Sequence, residues 1–157
     1  MPSLRRIIAF AAALSVLCIL SSYISTQSVL FRLDALEAPV PMGLSMQMIF
    51  ADILGTLPLF APIFGAGLLL GMLGAGFAER YIAERYIANR NIAIRNIAIR
   101  KGLIHAAAGF AAALTTLMIM EAAFGIVPIA GARSLAGALW ISAAGALAGL
   151  IYRRLAR

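Results

Sequence analysis

The chain has 157 residues, of which 63% are hydrophobic and only 12% charged, with a formal charge of +7 and a mean hydropathy of +0.98. Soluble domains carry roughly a quarter of their residues as charged ones, so the composition excludes that class and describes a membrane protein. The basic residues flank apolar runs, at Arg5 and Arg6, between Arg80 and Lys101, and at Arg153, Arg154 and Arg157, which assigns them to orientation and anionic headgroups and argues against nucleic acid.

A short basic start, Met1 to Arg6, leads into an apolar run over about residues 7–30. At ~1.5 Å per residue this run reaches about 36 Å, enough to cross a hydrocarbon core of roughly 30 Å with some tilt. No small-residue cleavage context follows Leu20, so the run is read as a retained first span and not a cleaved leader. Cys18, the single cysteine, rules out an intrachain disulfide and reads as a small apolar filler.

Residues 31–52 change character, with Arg32, Asp34, Glu37 and Asp52 and the helix-breaking Pro39 and Pro41, and read as the outer, periplasmic loop. Leu44, Met46, Met48, Ile49 and Phe50 are too apolar for a solvated loop; this part is expected to lie along the outer interface or to begin the second helix early. The second span, about residues 53–77, holds Pro58 and Pro62 one turn apart and is expected to be kinked or broken there, because each proline removes an intrahelical hydrogen bond. Gly67 and Gly71 stand four apart in it, a spacing that allows another helix to approach closely.

Residues 78–101 form an arginine-rich hairpin with a five-residue repeat, Arg80-Tyr-Ile-Ala-Glu, Arg85-Tyr-Ile-Ala-Asn, Arg90-Asn-Ile-Ala-Ile and Arg95-Asn-Ile-Ala-Ile, closed by Arg100 and Lys101. A period of five advances a helical wheel by about 140° per unit and alternates across a strand, so neither structure gathers the arginines on one face. The stretch reads as cytoplasmic extensions of the second and third helices, joined by a tight turn near Ala88 to Asn91, with Arg80, Arg85, Arg90, Arg95, Arg100 and Lys101 set to meet anionic lipid headgroups. The third span covers about residues 102–127 and the fourth about 134–152, where Gly145 and Gly149 repeat the close-approach spacing.

These elements predict an all-α membrane protein: one domain over residues 1–157, with four transmembrane helices in an up-down bundle. The positive-inside rule puts both termini in the cytoplasm of a bacterial inner membrane. Within the spans, Glu121 is the one deep acid, expected about two turns inside the outer end and turned toward protein or water. It is either a proton or cation relay or a structural partner of Arg133 or Arg32. His105, the single histidine, lies one turn inside the cytoplasmic end; a satisfied interfacial residue is the plain reading, and a haem, chlorin or quinone contact the sharper one. Trp140 is expected to pack against another helix. The chain has no zinc-ligand pattern, phosphate-binding glycine loop or His-Glu-x-x-His arrangement, so no catalytic, cofactor or metal site is assigned and the chain is not read as an enzyme. The expected role is an accessory, structural or assembly subunit of a larger membrane complex. The alternative is a small ion- or proton-coupled transporter or channel, alone or as a homo-oligomer, using Glu121 and the proline-broken second helix.

Overall fold

The computed structural model describes residues 2–37, 40–87 and 94–156, with side chains described for all of these except 2–3, 82–87 and 94–100. Four α-helices make up the bundle: α1 (Pro2–Asp34), α2 (Met42–Ile87), α3 (Ile94–Phe124) and α4 (Leu135–Leu155), with a 3₁₀ turn at Ala130–Arg133 before the last. Each contains a segment long and apolar enough to cross a membrane, namely Leu4–Asp34, Met42–Tyr81, Lys101–Phe124 and Leu135–Leu155. The protein is a small, helical, multi-pass membrane protein.

Each helix contributes one stripe to the core at intervals of three or four residues, the spacing that keeps side chains on one helical face. On α1 the stripe is Ala9, Ala13 and Leu17; on α2 it is Phe64, Leu68 and Met72; on α3 it is Ala113, Leu117 and Met120; on α4 it is Ile141, Ala144 and Ala148. Around the ring α1 packs on α2 and α4, and α3 packs on α2 and α4. Both termini lie at one end, where the Arg5 Nε donates to the Leu155 carbonyl at 3.1 Å.

The small-residue spacings are used inside the chain. A Cβ added at Gly109 of α3 would overlap the Gly145 carbonyl of α4, and one at Gly145 would overlap the Gly109 carbonyl. At Gly71 of α2 a Cβ would stand 2.9 Å from the Ala112 Cβ and 3.0 Å from the Ala108 carbonyl on α3. Backbones at these crossings approach as closely as missing side chains allow, and that approach holds α2 to α3 and α3 to α4.

Several boundaries depart from expectation. Residues 31–52 are not one loop: α1 continues through Asp34 and α2 begins at Met42, leaving a short connection in which Glu37 has φ 57°. Pro41 sits just outside α2, and its carbonyl accepts from the Leu44 and Ser45 N–H groups, so the apolar stretch from Leu44 to Phe50 becomes helix. Of the expected kink or break at the two prolines, the break does not occur: α2 runs as one helix from Met42 to Ile87 with both inside it. A long helix retains its remaining backbone bonds on either side of a proline, and membrane helices tolerate the loss. The third helix ends at Phe124 and not near Val127, because Gly125 takes the left-handed conformation at φ 70°. The α3–α4 connection then folds back onto the bundle, burying Val127, Ile129 and Ala132. Trp140 is exposed on the outer surface of α4 and does not pack between helices. The turn expected at Ala88 to Asn91 and the side chains of Arg85, Arg90, Arg95 and Arg100 lie outside the described residues.

Candidate functional site

Two polar clusters occupy opposite ends of the bundle, separated by the apolar core. The first lies at the end that carries both termini and is built on Glu79 of α2. Its Oε1 stands 3.0 Å from the Arg153 Nε of α4 and 3.4 Å from the His105 Nδ1 of α3. The Arg153 contact is an ion pair by distance, but its angles are not those of a hydrogen bond, and the two atoms are otherwise without hydrogen-bond partners. The His105 Nδ1 also lies 3.1 Å from the Lys101 carbonyl. Both neighbours are acceptors, so the ring proton belongs on Nδ1 in the neutral imidazole. Tyr152 stacks on the imidazole with ring centroids 6.0 Å apart. A recess of about 320 Å³ opens beside this cluster, and Arg6 of α1 and Arg80 of α2 join its walls. Three helices therefore meet at one partly buried carboxylate, and α1 joins them in walling the recess beside it.

The second cluster lies at the other end, between α1, α2 and the α3–α4 connection. Serines and threonines of α1 at positions 21, 22, 25 and 26 face Asp52 and Thr56 of α2, one helical turn apart. Thr56 donates to the Asp52 backbone carbonyl at 2.6 Å, so its oxygen must accept from the Ser22 hydroxyl 2.7 Å away. Thr26 Oγ1 is 3.0 Å from the Ser22 carbonyl and 3.2 Å from the Asp52 Oδ2. With one proton, that hydroxyl serves one acceptor at a time. Ser25 Oγ accepts from the Gly131 N–H at 3.3 Å, tying α1 to the connection. The half-open cavity these groups line measures about 400 Å³, and its other walls include the apolar side chains of Val29, Met48, Phe60 and Ile129.

Compared with family models, curated proteins and solved structures, the chain matches none.

The residues singled out from the sequence separate here. His105 is buried, with its Nδ1 hydrogen-bonded to the Lys101 carbonyl and close to Glu79, the plain reading of a lone histidine. Glu121 is exposed on the outside of α3, within one turn of the helix end, and its backbone carbonyl accepts from Gly125. It is not shielded by protein, because it lies off the core stripe that carries Leu117 and Met120, and the earlier end of α3 leaves it near the helix end and not two turns inside it. The pairing with Arg133 is not formed either: the Arg133 Nε donates to the Val127 carbonyl at 3.2 Å. Among the described residues no group of three or more histidine, cysteine, aspartate or glutamate side chains gathers to hold a metal. Sequence reasoning missed both site acids: Glu79 falls unremarked in the stretch read as the arginine-rich hairpin, and Asp52 was placed in the outer loop. The signal that could have found the second cluster is the spacing Ser22, Thr26 against Asp52, Thr56, two i,i+4 polar pairs inside apolar runs.

Proposed function

We propose that the protein is an accessory or assembly subunit that docks onto a larger membrane complex through the outward face of α2, without a reaction of its own. The observation that supports this is the condition of that face. In its most apolar window α2 is 11% buried within the bundle, against 33%, 33% and 39% for α1, α3 and α4. Pro58 and Pro62 are both exposed there, as are Leu54 and Gly55. A proline has no N–H, so the carbonyls of Leu54 and Pro58 lose their intrahelical donors, and lipid tails supply none. A partner helix bringing hydroxyl or amide donors to this patch satisfies both. In this reading the chain sits in a bacterial inner membrane with both termini cytoplasmic, because the basic end of the bundle belongs on that side. Arg80, Arg85, Arg90, Arg95, Arg100 and Lys101 then meet anionic lipid headgroups.

A photo-crosslinking residue at Leu54, compared with one at Leu147 on α4, tests the docking face in native membranes. The expected result is one adduct of defined mass at Leu54, carrying a different protein in fixed ratio, and only lipid adducts at Leu147. Lipid adducts at both positions, or a product containing only a second copy of the chain, overturns the reading. A second reading, a small ion- or proton-coupled transporter or channel, draws support from the hydroxyl-lined cavity. Its working carboxylate is Asp52 and not Glu121, which stands on the outer surface. Proton or cation flux in proteoliposomes that disappears in Asp52→Asn and persists in Glu121→Gln supports that reading; the absence of flux removes it.

A further inference from the structure

We propose that the cavity between α1, α2 and the α3–α4 connection is a binding site for a small organic ammonium ion, held by Asp52. The cavity measures about 400 Å³, within the range of roughly 300–1,000 Å³ typical of small-molecule sites. Among the described residues its one charged lining group is Asp52, and no basic side chain lines it. Among the described residues no ion pair neutralises this carboxylate. An ionised carboxylate offers about four acceptor positions, and Asp52 receives at most the Thr26 proton, which it shares with the Ser22 carbonyl.

A second, independent observation is Ser21. Its residue is 3% exposed, and its Oγ is buried without any hydrogen-bond partner while lining the same cavity. A buried hydroxyl left unmatched costs about 1–3 kcal/mol, so an unmatched hydroxyl lies just behind the wall of a cavity whose carboxylate has acceptor positions to spare. The remaining walls select the class of ligand. An anion meets the Asp52 charge with no counter-charge nearby. A bare metal ion gains nothing from Val29, Met48 and Ile129, which bound much of the space. An alkylammonium fits both halves, with its N–H groups on the Asp52 carboxylate and its carbon body on the apolar walls, and the Ser21 hydroxyl reaches it by turning about its Cα–Cβ bond. Phe60 also lines the cavity and adds an aromatic ring of the kind that attracts ammonium groups. The site uses neither the outward prolines of α2 nor any transport step, so its test is separable from crosslinking at Leu54 and from flux.

The test is equilibrium binding to the purified full chain in detergent, by calorimetry and by the shift in melting midpoint, with propylammonium chloride as the probe. Propylammonium should bind and raise the melting midpoint, whereas 1-propanol, the same carbon chain without the charge, and sodium chloride at the same concentration should do neither. Asp52→Asn, which keeps the shape and an acceptor oxygen, should weaken binding by at least about tenfold, the loss expected when a charge-assisted contact becomes a neutral one. Ser21→Ala, which removes only the unpartnered hydroxyl, should weaken it by a smaller factor while the melting midpoint without ligand stays the same or rises. Unchanged affinity in both variants, or equal stabilisation by propanol or by sodium chloride, overturns the proposal.

Discussion

Glu79 shows how much one side chain can carry in a bundle with few charges. Its carboxylate lies 3.0 Å from Arg153 and 3.4 Å from His105, with side chains 17%, 20% and 6% exposed. Removing one member of such a set leaves the others facing a low-dielectric surround with less compensation. Glu79→Ala should therefore lower stability by about 1–3 kcal/mol, between the small cost of losing an exposed ion pair and the larger one of breaking a buried pair, measured by reversible unfolding in mixed micelles. The double variant Glu79→Ala with Arg153→Ala should lose less than the two single losses added together, which is the signature of a shared contact. Strict additivity would mean that the two groups do not stabilise each other. At Asp52 the same reasoning gives the opposite sign. Its carboxylate lacks a counter-charge, so Asp52→Asn should leave the ligand-free melting midpoint unchanged or raise it slightly.

Among the helices, the closest crossings decide how the bundle closes. Gly109 and Gly145 meet backbone to backbone, so the atom a new side chain would strike is a carbonyl and not a flexible side-chain tip. Gly145→Val should cost more than the 1–3 kcal/mol usual for overpacking, read as loss of the folded fraction on thermal unfolding in detergent. The matched change at Gly74, with nothing near its missing Cβ, should be nearly neutral. Pro58 and Pro62 reverse this logic. Replacing either with alanine returns an N–H to α2 and should stabilise the isolated protein, by up to about 3 kcal/mol if the helix-interior penalty applies in full. On the docking reading, the same change should weaken the crosslink at Leu54, because the freed carbonyls are no longer free.

For the whole molecule, the distribution of charge by end is the main result. Among the described side chains, Arg5, Arg6, Arg80, Lys101, Arg153 and Arg154, against the single acid Glu79, belong to the end that carries the termini, whereas Asp34, Glu37, Asp52 and Glu121, against Arg32 and Arg133, belong to the other. The contacts of Arg5 with Leu155 and of Glu79 with Arg153 fix the first grouping in three dimensions. An impermeant maleimide added to intact cells should label a cysteine placed at Leu36, which is exposed, and should leave one placed at Ala156 unlabelled until the membrane is opened. The reverse pattern would turn the bundle over and put the Asp52 cavity on the cytoplasmic side.

Much of this protein could be read from its residues in order. Apolar runs of membrane-crossing length and basic flanks are local properties, so four spans and the up-down order follow from hydropathy and charge without any knowledge of neighbours. Helix boundaries were less legible. Pro39 and Pro41 mark where a helix cannot continue, but not how soon the next begins, and the Gly125 turn that shortens α3 depends on a backbone angle no composition reveals. The partners of the small and polar residues were not legible at all. Four-residue glycine spacing says that a close approach is possible, not whether the approaching backbone belongs to the same chain; here Gly71, Gly109 and Gly145 are filled from within. Likewise Asp52, Ser21, Glu79 and His105 are far apart in sequence, and only the packing of the helices decides which acid is buried beside a cation, which faces a cavity, and that Glu121 stands outside.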